Sequence, residues 1–283
     1  MIHDLPAFLD NGSLNWDGLG YALSAPPPLE LLSPTALTDA DPWIVFAAVL
    51  ERAKLGHFDA MPRLLDLIVS TDDDLLWSYC ADLIGDAGPR RLLESLAAPL
   101  GTRLFDADHP VHQVALCGAF RQSMRLAGVP VMLEVYLRST DRGETNVLKV
   151  LLSQLLEAEL GPIGCFTGAD EDFRALVVDR CAELRATLGS SQRPVLGGAL
   201  FSVESVARKL HAELTSGDPN DVTVLRFRHH LEASTGLDCS GFYKDESLQY
   251  LDATAIVEEF LKDAPGRRYM PGLRYFYGHQ IPD

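Results

Sequence analysis

The sequence predicts an all-α protein assembled from antiparallel helix pairs. Three observations predict it. Apolar residues recur at i, i+3, i+4 and i+7 along much of the chain. These runs are bracketed by Asp-Pro, Pro and Gly, the residues that start and stop helices. Between Trp43 and Glu159 successive pairs start about 32 to 36 residues apart, a spacing found in helical arrays.

The first pair opens at Asp41-Pro42, where the carboxylate caps free N–H groups and proline loses nothing in the first turn. Trp43 to Leu50 is apolar all round, which predicts a helix buried on most sides. Its partner carries Met61, Leu64, Leu65 and Ile68 on one face. In the second pair, Thr71 to Asp74 reads as a capping box. Leu76, Tyr79, Cys80, Leu83 and Ile84 then point inward, and Gly85 to Gly88 is expected to break the helix. Pro89 restarts it with Leu92, Leu93, Leu96 and Leu100. The third pair begins at Pro110. Its small residues Ala115, Gly118 and Ala119 allow a close neighbour, and Gly128 ends that helix. Val131, Met132, Val135 and Tyr136 continue on its partner. Val147 to Leu156 extends the series to Gly161-Pro162.

The flanks differ. Residues 1–41, with Pro26-Pro27-Pro28 and Pro34, predict an irregular cap in which Trp16, Leu19 and Tyr21 cover the first pair. Residues 42–160 hold the repeats. Residues 161–283 are less regular. Stripes from Phe173 to Leu188 and from Val203 to Leu214, a start signal at Asp218-Pro219, and a cap at Asp252 predict further helices. The Arg/Tyr-rich stretch Arg267 to His279 reads as an extended tail. One continuous domain is expected, with a split near residues 160–170 as the alternative.

Composition bounds the function. The net charge is −16 and the pI about 4.8, which repels polyphosphates and argues against nucleic acid. The same charge suits solubility or a basic partner. The longest apolar run is far shorter than the roughly 20 residues a membrane helix needs. No Lys or Arg precedes Arg52, so no secretory signal is expected. The five cysteines (80, 117, 165, 181, 239) show no paired spacing, which predicts free thiols in the cytoplasm.

No catalytic or cofactor motif stands out. His109 and His112 are too few for zinc, even with Asp106 and Asp108 nearby. His229 and His230 are adjacent and diverge on a helix. Cys239-Ser240-Gly241 lacks an orienting group and an oxyanion site. Gly197-Gly198 is followed by no Lys-Ser or Lys-Thr. Glu258 and Glu259 diverge. No catalytic residue, cofactor or metal site is assigned.

The stretch Asp74 to Pro89, with its acidic start, small mid-helix residue and Gly-rich turn, resembles a HEAT/armadillo-type repeat. The resemblance covers residues 42–160. It implies a right-handed α-solenoid-like stack whose second helices line a protein-binding face. An irregular helical bundle is the plainer alternative. On this chain the second helices offer Arg63, Asp66, Arg90, Arg91, Glu94, Glu134 and Arg138, and the turns add Asp72, Asp73 and Asp74. Arg274, Tyr275 and Tyr277 have the composition of a binding hot spot, or else form a strap over the last helices. The expected function is a non-enzymatic protein-interaction module with a protein partner. In its acidity and lack of catalytic motifs the chain resembles bacterial immunity proteins that neutralise basic toxins. The alternatives are an enzyme using His229, His230, Cys239 or His279, and a scaffold subunit of a larger assembly.

Overall fold

A computed structural model describes residues 21, 28–97, 110–158, 161–190, 193–244 and 247–283. Trp16, Leu19, Leu100, Asp106, Asp108 and His109 lie outside the described residues. The protein is all-α, with 67% of the described residues helical. The described helices are α1 (Pro42–Lys54), α2 (Arg63–Ser70), α3 (Asp74–Ala87), α4 (Arg90–Ala97), α5 (Pro110–Gln122) and α6 (Val129–Arg138). They continue with α7 (Arg142–Leu156), α8 (Asp170–Leu188), α9 (Val203–Leu214), α10 (Asp221–Thr235) and α11 (Tyr250–Lys262). Two-residue strands pair into three hairpins: β1 (Val195–Leu196) with β2 (Ala199–Leu200), β3 (Tyr243–Lys244) with β4 (Ser247–Leu248), and β5 (Tyr275–Phe276) with β6 (His279–Gln280).

The chain folds into two compact units. One joins Met1–Arg63 to Ser202–Ile281, and the other comprises Leu64–Phe201 and Pro282–Asp283. The divisions fall inside both the expected repeat segment and the expected C-terminal region.

In the unit starting at Leu64, α3 lies along α5, α5 along α7, and α6 packs on both α5 and α7. The next helix, α8, packs on α6 and α7. Gly85 does not break α3 as the sequence suggested; the helix runs through it to Ala87. Its role is close approach. A Cβ there would sit 2.8 Å from Ala119 Cα and 2.7 Å from the Ala119 carbonyl oxygen. Asp73, not Thr71, caps α3, accepting from the Leu75 and Leu76 amides at 3.0 and 3.2 Å. Thr71 instead accepts from the Asp73 amide. α5 ends at Gln122, ahead of the expected stop at Gly128. Val147, expected inside, is 43% exposed, because α7 turns Leu148, Leu152, Leu155 and Leu156 inward instead.

In the other unit, α9 packs on α10 and α11. Asp41 accepts from the Trp43 amide at 2.9 Å, as Asp-Pro signals. Phe46 and Ala47 to Leu50 in α1 are fully buried. The C-terminal hairpin meets the N-terminal part of this unit. Tyr21 packs edge-on against Phe276 with ring centres 5.3 Å apart, and Lys54 Nζ lies 5.4 Å from the Tyr277 ring centre. α10 and α11 begin three and two residues from their expected caps: Asn220, not Asp218, caps α10, and α11 starts at Tyr250, ahead of Asp252.

One device occurs in both units. α7 and α10 are each 15 residues long and begin at a short polar cap, Asp141 accepting from Glu144 N–H and Asn220 from Thr223 N–H. A helix leaves its last carbonyls without partners. At α7 the Gly197-Gly198 turn of β1–β2 donates its two amides to the Gln154 and Leu155 carbonyls at 3.0 and 3.1 Å. At α10 the Tyr277-Gly278 turn of β5–β6 donates to the Ala233 and Ser234 carbonyls, both at 2.8 Å. Both turns have two positive φ values, 60° and 66° against 49° and 82°, the pattern of a type I′ hairpin. The bond closing each hairpin is equivalent too: Phe201 N–H to Pro194 O at 2.9 Å, and Ile281 N–H to Arg274 O at 3.0 Å.

The turn at Gly198 is tight. A Cβ there would lie 2.7 Å from the Leu156 carbonyl oxygen, whereas Gly189, also left-handed, has nothing within 4 Å. Gly189→Ala is expected to cost about 1 kcal/mol of left-handed strain. Gly198→Ala adds a backbone clash and should cost about 2–4 kcal/mol. Urea unfolding midpoints of the two variants test the difference; equal losses would mean that the turn does not press on α7.

Candidate functional site

Residues Phe227 to Ser234 of α10 are all buried, although they include Arg228, His229, His230, Glu232 and Ser234. Burying charge is costly unless partners replace water. Arg228 and Glu232, one turn apart, approach to 3.5 Å with side chains 9% and 8% exposed. The Arg228 guanidinium lies 5.6 and 5.3 Å from the ring centres of Phe242 and Tyr243 and hydrogen-bonds the Cys239 thiol. Glu232 Oε2 is buried without a hydrogen-bond partner among the described residues.

Burial dominates the chemistry of this cluster. It pushes the Glu232 carboxyl up to about 8; Arg228 opposes the shift and Asp238 adds to it. Burial also pushes the Cys239 thiol far up, reinforced by Glu232. The Tyr277 phenol is raised by burial and then by the charges of Glu232, Glu51 and Asp238. Lys54, paired with Glu51 at 2.6 Å, is lowered by burial. Asp238 is held down by its hydrogen bonds to Ser240. Three parts of the chain, α1, α10 with its following loop, and the C-terminal hairpin, thus place ionisable groups within electrostatic reach of one another.

The corresponding helix of the other unit carries a milder version. Counting from the caps, Lys149 and Ser153 of α7 stand where Arg228 and Glu232 stand in α10. Lys149 Nζ donates to the Phe166 carbonyl at 3.0 Å and lies 5.8 Å from the Tyr136 ring centre. Ser153 donates to Glu157 Oε2 at 2.5 Å, and Glu157 Oε1 accepts from the Ile163 amide at 3.0 Å. All of these groups are satisfied locally, so α7 holds a structural clamp.

The sequence-derived candidates scatter. Arg63, Asp66, Asp72, Asp74, Arg91, Glu94 and Arg138 are exposed, while Asp73, Arg90 and Glu134 are half-buried. Arg90 pairs with Glu94 at 2.7 Å, and Arg138 with Glu134 at 2.7 Å. Asp74 meets His112 Nε2 at 2.8 Å, and that imidazole stacks on Trp77 with ring centres 4.4 Å apart. Arg274 and Tyr275 are 4% and 8% exposed, which removes them from any contact surface. The Tyr275 hydroxyl accepts from the Met270 amide, so this pair belongs to a strap and not to a hot spot. Tyr277 is half-buried against Gly236 and Lys54. Gly197-Gly198 spends its amides on α7 and has none for a phosphate. Glu258 pairs with His211 at 3.2 Å, away from Glu259.

Sequence reasoning missed Arg228, Glu232, Glu51 and Lys54. A signal was present: Arg226 to Glu232 mixes charged, aromatic and apolar residues with no clean polar face. Such a helix must bury some of its charge.

No family model, no curated protein and no solved structure matches this chain. Among the described residues no helix is long and apolar enough to cross a membrane.

Two outcomes check this site. In the folded state Glu232 keeps a proton that the unfolded chain loses near 4.5. Stability is therefore greatest below that pH and falls as pH rises through about 8. Glu232→Gln has no proton to lose, so relative to the native chain it should gain on the order of 3 kcal/mol between pH 5 and pH 9 in urea unfolding. Parallel pH profiles would show that Glu232 is not the group responsible. Iodoacetamide on the folded protein should modify exposed Cys165 and spare buried Cys80, Cys117, Cys181 and Cys239. Rapid modification of Cys239 would contradict a buried, protonated thiol.

Proposed function

We propose that this chain is a non-enzymatic protein-interaction module: a right-handed, HEAT/armadillo-like α-solenoid that binds a basic protein in a reducing cytoplasm. The observation carrying this reading is the packing order in the unit starting at Leu64. Helices touch their next neighbour and the one after, α3–α5, α5–α7 and α6–α8, which is how stacked helix pairs bury a continuous core. Such stacks leave one row of helices free to present side chains. Arg91 and Glu94 on α4, Arg138 on α6, and Asp72 and Asp74 before and at the start of α3 are exposed, with Glu94, Arg138 and Asp74 held in pairs with Arg90, Glu134 and His112.

Charge sets the partner. Each unit carries 20 carboxylates against 12 Lys and Arg residues, so each is −8 and neither alone holds the acidity. A field of that sign steers a basic protein and speeds its docking. The role it fits is that of an immunity protein holding a basic toxin inactive.

A second reading, an enzyme with its site in residues 161–283, is favoured by Glu232, whose carboxyl near 8 suits proton transfer at neutral pH. The buried Cys239 is no nucleophile for it. A third, a scaffold subunit, has no observation of its own.

The test is capture of partners on the intact chain, followed by mass spectrometry. A basic protein should be retained at low salt and released at high salt. Asp66→Asn/Asp72→Asn/Asp74→Asn should lower its affinity about tenfold, mainly by slowing association. This set leaves the cap at Asp73 intact. A partner indifferent to both salt and the triple substitution would sink charge-led binding. Unchanged binding by Glu232→Gln separates this reading from the enzymatic one.

A further inference from the structure

The Tyr277-Gly278 turn and the Glu232 carboxyl occupy the same end of α10. The turn donates to the Ala233 and Ser234 carbonyls, the two that follow Glu232 along the helix. The Tyr277 ring presses on Gly236, whose amide donates to the Glu232 carbonyl at 2.7 Å. The Glu232 side chain is buried, and its Oε2 has no hydrogen-bond partner among the described residues. A carboxyl in that setting is tolerated while it keeps its proton and becomes costly once charged.

Groups from several elements bear on it. Arg228 approaches along α10, which also carries His229 and His230. The following loop brings Asp238 and Cys239, and the hairpin brings Tyr277. Glu51 of α1, paired with Lys54, acts on the same Tyr277 phenol as Glu232 does. Of the other elements packed on α10, β5 leads from buried Arg274, and α9 carries Lys209, 5.9 Å from the Phe227 ring centre. Burial outweighs the opposing Arg228 charge and holds the Glu232 carboxyl up at about 8. The turn itself closes against strain. Its counterpart on α7 passes through Gly197 and Gly198, whereas Tyr277 carries a side chain at φ 49°.

We propose that Glu232 is a proton-operated latch: protonated, it lets the Tyr277-Gly278 turn close on the end of α10, and its ionisation, by drawing water to the carboxylate, releases that turn while the helices of the unit stay folded. The closed form holds a proton that the open form gives up. Opening therefore grows as pH rises from 4.5 to about 8 and levels off above that. The latch lies within one unit and rests on neither functional reading above.

Amide hydrogen exchange on the full chain from pH 5 to pH 9 tests it, each amide being compared with its intrinsic rate. Protection of Tyr277 and Gly278 should fall about tenfold per pH unit up to about 8 and then level. It should also stay about tenfold or more below that of Leu231, fully buried in the middle of α10. Gly197 and Gly198 are the internal control. They cap α7 by the same bonds, with Ser153 where α10 has Glu232, and their protection should not follow this profile. Glu232→Gln, which keeps His229 and His230 in place, should flatten the profile at Tyr277 and Gly278. If that variant misfolds, the comparison of the two turns in the native chain still decides. Protection at Tyr277 and Gly278 that is indifferent to pH, the same profile at Gly197 and Gly198, an unchanged profile in folded Glu232→Gln, or protection equal to that of Leu231 at every pH would overturn the latch.

Discussion

The last carbonyls of α7 and α10 need donors, and a two-residue turn supplies them in each case. Much of the structure follows from that requirement. To deliver two consecutive amides to a helix end, the backbone must turn with positive φ at both residues. Gly197-Gly198 does so without strain, and Tyr277-Gly278 does so with one residue that carries a side chain. The helix ends are thereby fixed to segments about 40 residues further along. That spacing leaves room for one further helix between, α8 in one unit and α11 in the other.

The Tyr277 turn has a second consequence. Its ring is pressed against Gly236 and lies beside Lys54, so the hairpin joins α1 to the end of α10. Here the unit is assembled from both parts of the chain. The buried Arg228–Glu232 pair sits in the same region, shielded by Phe242 and Tyr243. Burial outweighs the guanidinium and keeps Glu232 protonated near neutral pH. Protonation spares Glu232 the cost of burying its own charge, while the Phe242 and Tyr243 rings and the Cys239 thiol face the Arg228 guanidinium. The cluster is therefore compatible with a structural role, and the proposed function does not require catalysis of it.

The helices were legible because their signals are local. Asp41-Pro42 at α1 and Gly236 at the end of α10 each act through bonds spanning a few residues. The inward stripe Val203, Val206, Ala207, Leu210 and Leu214 is buried throughout. Gly85 was misread because its meaning is not local. As a helix breaker it is judged against its own chain, but its missing Cβ answers Ala119 on another helix. The repetition linking α7–β1–β2 to α10–β5–β6 was invisible for a related reason. What repeats is a set of backbone hydrogen bonds, and backbone donors place little demand on side-chain identity. Gly-Gly and Tyr-Gly perform the same act.

By itself the sequence determined the helical class, most helix starts and stops, the acidic charge, and the extended character of the C-terminal tail. These follow from propensity, capping and composition, which need no distant partner. Only the tertiary structure decided which charges are buried and that Arg274 and Tyr275 are inside. Burial and charge proximity are properties of neighbours brought from elsewhere in the chain, and no local pattern encodes them.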